Sequence, residues 1–358
     1  MAKAPKYMDI VLWAQQQIAQ GSFLPGDKFL SESNLGARFD VSRQTVRRAL
    51  DDLEQLGQIT RVQGSGTYVA GASSAKEGKP ATSMTVGVIS LYLDDYIFPG
   101  IIRGMESVFA SSGHGIQLAS TQNEIAGETR ALQRMLDIHP AGLIVEPTKS
   151  GLPCGNLELY RQIQQQGIPI VFTDSLYGEV DAPCVGLDDE RVGYLATEYL
   201  IEMGHRNILG IFTHSNRAGL LRYSGYLQAL STHGIPLRED WVHWYNQEDM
   251  QQVLQGGLFQ ASLPQCSAAV CYNDHVATSL ISLLTRNGYG IPETLSIISV
   301  DNTHLAQLYG VTSFIHPGTR LGEAAAKLLL AMMRGAPGES IRFTPEICFR
   351  DSVKRLEG

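Results

Sequence analysis

The chain has 358 residues, 44% of them hydrophobic and 18% charged, with a formal net charge of −8. This composition excludes a disordered chain and leaves room for two or three globular domains. The opening MAKAPKYMDIVLWAQQQ lacks the apolar core of a secretory signal, and no stretch approaches the ~20 apolar residues of a membrane span, so a cytoplasmic protein with no membrane partner is expected. Cys154, Cys184, Cys266, Cys271 and Cys348 form an odd set with no CxxC pair, which suits buried thiols in a reducing compartment. Cys271 and His275, four apart, could both ligate a metal, but a structural zinc needs four ligands and no second pair lies nearby, so no metal and no cofactor are expected.

The first element is YMDIVLWAQQQIAQG, with Tyr7, Ile10, Val11, Ala14 and Ile18 at helical spacing and Gly21 as its stop. A turn on Pro25-Gly26 follows. Ser31 then reads as the N-cap of a short helix, SESNLGARF, and Ser42 as a second start. The third helix, SRQTVRRALDDLEQLG, carries an apolar stripe of Val46, Ala49, Leu50, Leu53 and Leu56. Gln44, Arg47 and Arg48 lie opposite that stripe with Arg43 at its margin, while Asp51, Asp52 and Glu54 come only later. A solvated face of mixed charge would look like this. So would a recognition helix, whose amino-terminal residues meet bases and phosphates in the major groove. Charge gives weak help: residues 1–71 hold eight Lys+Arg and seven Asp+Glu, a balance of +1, against −9 for the rest.

Two short β-type runs, QITRV and TYVAG, flank QGSG directly after this helix, which makes the pair a hairpin and, next to a helix-turn-helix, a wing. A phosphate loop needs GxxxxGK[ST], and a dinucleotide fingerprint needs a third glycine where Val69 stands; neither fits. Gly64 and Gly66 let backbone amides approach phosphates or the minor-groove floor, with Arg61 and Gln63 beside them. From PGDKFLSE through VSRQTVRRAL to GSGTYV, the stretch resembles the winged-helix headpiece of the GntR family of bacterial regulators. That resemblance implies double-stranded operator DNA as a partner, contacted by Ser42, Arg43, Gln44, Thr45 and Arg47, with Arg48 beside them, and by the wing residues Gln63, Gly64 and Gly66. Leu30 departs from the family, which usually has proline before the serine.

Residues 71–83, GASSAKEGKPATS, are small and polar and read as a linker spanning roughly 20 Å as a random coil. They separate a DNA-binding domain, 1–70, from an effector domain, 84–358. In the latter, TVGVIS, GIQLAST, AGLIVEP, IPIVFTD, NILGIFTH, AAVCYND and LSIISVD are apolar runs, each followed by a helix or turn, as in parallel βα units buried on both sides. Some 275 residues exceed one comfortable sheet, so a doubly wound α/β fold in two lobes is expected, with the chain crossing between them.

Ligands of such sheets sit beyond the carboxyl ends of the strands. Standing there are Tyr92, Asp95 and Tyr96, then Glu146, Asp174, Asn273-Asp274, Asp301 and His316. Any one of them, taken alone, reads as a helix cap or turn former before it reads as a ligand contact, and Asp188 and Asp189 are read as caps of the helix ERVGYLATEYL. Their recurrence at one edge, with an arginine such as Arg222, suits the paired hydrogen bonds of a small polyol or sugar. TVGVISLYLDDYIFPGIIRG, GLIVEPTKS and VCYND resemble the periplasmic-binding-protein-like effector domain of the LacI family. The resemblance implies a pocket of Tyr92, Asp95, Tyr96, Phe98, Glu146, Asp174, Arg222, Tyr245, Asn273, Asp301 and His316. It also implies a sugar-released transcriptional repressor that acts as a homodimer. ISVDNTH and HPGT depart from the family pattern. A transport receptor or a sugar-acting enzyme would use the same fold; the absent export signal and the headpiece weigh against the first. Against the second stands the lack of GxSxG, a phosphate loop or a metal triad, although Glu146 and Asp301 read as either hydroxyl acceptors or an acid/base pair.

Overall fold

In the computed structural model the chain divides into two compact units, Met1–Ala81 and Thr82–Gly358. The structure describes residues 6–20, 22–24, 26–55, 58–62, 66–69, 84–93 and 96–357. Leu56, Gln63, Gly64, Asp95 and residues 71–83 of the expected linker lie outside them.

In the first unit, helix α1 (Lys6–Ala19) is followed by α2 (Glu32–Phe39) and α3 (Arg43–Gln55), then by strands β1 (Ile59–Val62) and β2 (Gly66–Val69). Ser31 Oγ accepts the Asn34 N–H at 3.3 Å and starts α2, and Asp40, left-handed at φ 47°, ends it. Ser42 Oγ accepts the Thr45 N–H at 3.3 Å at the start of α3. Ile10, Val11 and Ala14 of α1 bury against Leu35 of α2 and Val46, Ala49, Leu50 and Leu53 of α3, with Ile59 and Val69 closing the core from the hairpin. Trp13, outside the stripe read from sequence, joins through ring contacts with Phe23, Phe29 and Phe39. The strands pair antiparallel from Ile59↔Val69 to Val62↔Gly66, and Lys28 bridges to Tyr68 on the outer side.

The second unit runs β3 (Thr85–Ser90), α4 (Phe98–Ser111), β4 (Gly115–Ser120), α5 (Ile125–Ile138), β5 (Leu143–Val145), α6 (Leu157–Gln165), β6 (Ile170–Thr173) and β7 (Cys184–Leu187). After α7 (Asp189–Glu202) come β8 (Ile208–Thr213), α8 (Arg217–Thr232), β9 (Val242–Tyr245), α9 (Met250–Gln255), α10 (Gly257–Ser262), β10 (Ala268–Cys271), α11 (Asp274–Arg286), β11 (Ser296–Asp301), α12 (His304–Leu308) and β12 (Thr312–Ile315). The chain closes with α13 (Gly318–Met333), β13 (Ile341–Phe343) and β14 (Ile347–Cys348).

Two six-stranded sheets result, β4-β3-β5-β6-β7-β13 and β9-β8-β10-β11-β12-β14, parallel except for β14 against β12. Each has its first strand between its second and third, so each has a switch point where the loops after neighbouring strands diverge and leave a crevice. The seven strands read from the apolar runs are all present; β7, β9, β12, β13 and β14 are additional, each of four residues or fewer. One expectation fails in detail. The run at 115–120 is only half-buried because β4 is an edge strand.

The chain crosses between lobes three times. After β7 it passes through Asp188 into α7, which packs on β10 and β11 of the second lobe. After β12 it returns through His316 to α13, which packs on α4 and on β5, β6 and β7 of the first. Residues 344–346 then lead from β13, paired with β7, to β14, paired with β12. Each lobe is thus completed by a helix delivered from the other, and the carboxyl ends of both sheets face one cleft.

Candidate functional site

In the first unit, α3 presents Arg43, Gln44 and Arg47 to solvent, with the Arg43 and Arg47 side chains 75% and 63% exposed. Both arginines turn toward Glu32 at the start of α2: Arg47 Nε lies 3.1 Å and Arg43 Nε 3.6 Å from its carboxylate. Ser42 and Thr45 are hydroxyl to hydroxyl at 2.9 Å, so the serine serves the helix start. Arg48 stands apart from the Glu32 pair: its guanidinium lies over the Tyr7 ring of α1 at 4.3 Å. Arg61 is drawn back onto α3 by Asp51 at 2.7 Å and Glu54 at 3.6 Å, giving the later acidic residues of that helix a structural task. Gly66 opens β2 at φ +125°, a backbone state that favours glycine.

The cleft of the second unit encloses about 290 Å³, at the small end of the ~300–1,000 Å³ range of small-molecule sites. Ten of the eleven residues expected there line it; the eleventh, Asp95, lies outside the described residues. The switch point of the first lobe supplies Tyr92 and Glu146. Glu146 Oε2 accepts from Ser90 Oγ at 2.9 Å and from the Leu91 N–H at 3.1 Å. Burial and the nearby Asp174 charge push its carboxyl up to about 8, against the pull of those two donors. Tyr92 packs against Phe98 with ring centroids 5.4 Å apart and donates to Gln247 Oε1, across the cleft, at 2.6 Å.

Asp174, left-handed at φ 59° just past β6, bonds His316 Nε2 through Oδ1 at 2.7 Å. Gly318 N–H donates to His316 Nδ1 at 3.1 Å and fixes the ring. Burial lowers the affinity of this imidazole for a proton, but the Asp174 charge and hydrogen bond outweigh it and hold its pKa above the usual histidine value. Asp174 Oδ2 is buried without a hydrogen-bond partner among the described residues.

The second lobe contributes a charge cluster around Arg222. Its Nε and Nη2 both lie 2.8 Å from Asp189 Oδ1, its Nη2 3.8 Å from Asp301 Oδ1, and its Nη1 donates to the Tyr272 carbonyl. Its plane lies over the Tyr272 ring at 4.6 Å. Tyr96 donates to Asp301 Oδ2 at 2.6 Å from the opposite lobe. Tyr96 at φ 64° and Asp301 at φ 102° hold backbone conformations that side chains disfavour, and such strain gathers where a site over-determines it. Burial raises the Tyr96 hydroxyl pKa well above the tyrosine range, with Asp301 adding to it, so the phenol remains a donor.

Two sequence readings need correction here. Asp188 does cap α7, accepting the Arg191 N–H at 3.2 Å, but Asp189 does not: it is buried and spent on Arg222. Two acids in a row where one suffices for a cap is the signal that distinguishes them. Asp274 stays out of the cleft, its carboxylate accepting from Ser299, Ser313 and Thr303 and so pinning the turn after Asp301. Asn273 lines the cleft and also caps α11, its Oδ1 accepting the Val276 N–H at 3.1 Å. Tyr245 is buried at the end of β9, its ring 6.5 Å from that of Tyr272. Sequence reasoning missed Asn123, Ser215, Gln247, Tyr272 and His275 in the lining. Among the described residues no group of three or more His, Cys, Asp or Glu could hold a metal ion, and Cys271 is sealed in the core while His275 faces the cleft.

A winged-helix headpiece carried with a two-lobed small-ligand cleft defines a ligand-responsive transcription regulator. Residues 7–69 match the bacterial regulatory proteins of the gntR family, and residues 197–353 match the periplasmic binding protein-like domain. The arabinose metabolism transcriptional repressor of Geobacillus stearothermophilus is 34% identical over 98% of this chain and 98% of its own length; that of Halalkalibacterium halodurans is 34% identical over 97% and 96%. The chain belongs to this family of repressors, in which a GntR-type headpiece is joined to a LacI-type effector domain. Among solved structures, transcription regulator CcpA of Lactococcus lactis superposes with a TM-score of 0.68 at 25% identity, covering 75% of this chain and 99% of its own.

Proposed function

We propose that the chain holds operator DNA through Ser42, Arg43, Gln44, Thr45, Arg47 and the wing, and releases it when a small neutral sugar, L-arabinose, occupies the cleft. The observation that carries the ligand class is the balance of donors and acceptors in that cleft. Glu146, Asp174, Asp189 and Asp301 line it against one arginine, and that arginine is already engaged by two carboxylates and a carbonyl. No Lys or Arg among the described lining residues is left to meet a carboxylate or phosphate, whereas Asp174 Oδ2 waits for a donor. Sugar hydroxyls supply donors without charge. The rings of Tyr92, Phe98, Tyr245 and Tyr272 offer cover for the apolar face of a pyranose.

The relatives' names support arabinose and support a binding protein over an enzyme acting on the sugar. Two half-sites about one helical turn, ~34–36 Å, apart call for two headpieces, hence a homodimer acting on cytoplasmic DNA. Sugar held between the lobes changes their closure and thereby the fit of both headpieces to the operator.

The test is calorimetric titration of the full chain with L-arabinose, D-xylose, D-galactose and D-galacturonate, followed by operator anisotropy with whichever sugar binds. We expect heat from L-arabinose, none from the sugar acid, and weakened operator binding. Tight binding of the acid, or operator binding strengthened by arabinose, overturns the proposal.

A further inference from the structure

The lobes meet at a second place besides the cleft floor. Past β5, the loop 146–151 of the first lobe faces the loop 213–217 of the second, and backbone touches backbone there. Gly151 N–H donates to the Ser215 carbonyl at 3.1 Å. Ser150 Oγ accepts the Arg217 N–H at 3.1 Å, at the start of α8, and lies 3.4 Å from Asn216 Oδ1. A Cβ on residue 151 would stand 2.4 Å from the His214 carbonyl oxygen, a distance that real Cβ atoms do not adopt against backbone, and a tight 3.0 Å from the Asn216 nitrogen. None of the three crossings between lobes passes through this contact.

The first-lobe loop cannot yield to such a clash. Glu128, fully buried, accepts the Thr148 N–H at 3.2 Å and the hydroxyls of Tyr160 and Tyr177 at 3.0 Å each. Thr148 Oγ1 donates to Thr121 Oγ1 at 2.9 Å, and the Lys149 N–H to Asn123 Oδ1 at 3.2 Å. With the loop braced from below, an added side chain is relieved by parting the lobes. Ser215 and Asn216 also line the cleft, so parting them widens the ligand's own walls.

Building on the reading of the cleft as a sugar site, we infer that Gly151 is a positioning residue for lobe closure: its bare backbone lets the 148–151 loop clasp 214–217 and hold the effector in. The test compares the wild-type full chain with Gly151→Ala by amide hydrogen exchange and by titration with L-arabinose, with circular dichroism as the folding check. A fall of the closed population to about one in ten raises the apparent Kd about tenfold, because affinity scales with the competent fraction. We expect that rise, together with faster exchange at Gly151 and Arg217. Ser150→Ala, which removes the hydroxyl's contacts with Arg217 and Asn216 and adds no bulk, gives a smaller change in the same direction. Unchanged Kd and unchanged exchange in Gly151→Ala overturn the inference. If wild-type protein gives no heat with L-arabinose, the sugar reading fails by itself; exchange measured without sugar then decides the clasp, and equal protection in wild type and variant counts against it.

Discussion

Each half of the molecule turns on an arginine beside carboxylates, and the two are built in opposite ways. Arg47 lies 63% exposed beside one partly exposed glutamate, whereas Arg222 is 6% exposed between two aspartates that are themselves buried. An exposed ion pair contributes little, typically ~0–1 kcal/mol, so Arg47 can leave Glu32 for a phosphate or a guanine edge at small cost. A buried pair has already met its desolvation cost during folding. Arg222 therefore does not exchange partners; it fixes the positions of Asp189 and Asp301, and the ligand meets a rigid set of acceptors. In the roles proposed above, one site works by letting go of a partner and the other by never letting go.

Removing each arginine separates these roles, and the cleft gives the larger effect. Arg222→Ala leaves Asp189 and Asp301 buried without their counter-charge, a change of ~3–5 kcal/mol in stability. Urea unfolding reads that loss, and sugar binding is expected to vanish with it. Should stability hold, the cluster is less dependent on its cation than its burial implies. Arg47→Ala is expected to weaken operator binding by ~1–3 kcal/mol and to relax base preference at one position, with the unfolding midpoint unmoved. An equal loss of stability there would mean the Glu32 pair holds the headpiece together, and the contrast between the halves would collapse.

The same contrast governs what the sequence discloses. The headpiece is legible because its signals are local: Ser31 and Ser42 cap helices, Val46 to Leu53 keep a helical period, and Gly66 takes a positive φ within its own hairpin. The strands of the effector domain are legible where an apolar run is buried, as in three-residue β5, and illegible where the strand is part-exposed, as in β13 and β14. In the cleft, residue types at strand ends point to the edge where ten of them gather. What they do there is set by neighbours distant in the chain. Asp189 becomes a partner of Arg222 rather than a cap, and the exposed Arg48 lays its guanidinium over Tyr7. Gly151, just past GLIVEPTKS, carries no signal of its own until the opposite lobe is placed against it.

A further expected effect reads the buried side of the contrast through pH, at Glu146. Burial and the Asp174 charge hold the Glu146 carboxyl at about 8, against an ordinary value of 4.5. Between those values the unfolded chain ionises this residue while the folded one keeps its proton, so the folded state binds more protons. Its contribution is present in full below pH 4.5 and is lost as pH rises through about 8. The slope is at most ~1.4 kcal/mol per pH unit. Glu146→Gln keeps the shape and removes the titration. Its unfolding free energy, measured beside that of wild type from pH 5 to 8, should gain on wild type as pH rises. A sugar hydroxyl donating to this carboxyl favours its charged form, so saturating L-arabinose should flatten the difference and release a proton on binding. A constant gap between the two proteins across that range would place Glu146 in a wetter, better-solvated setting than its hydrogen bonds to Ser90 and Leu91 describe.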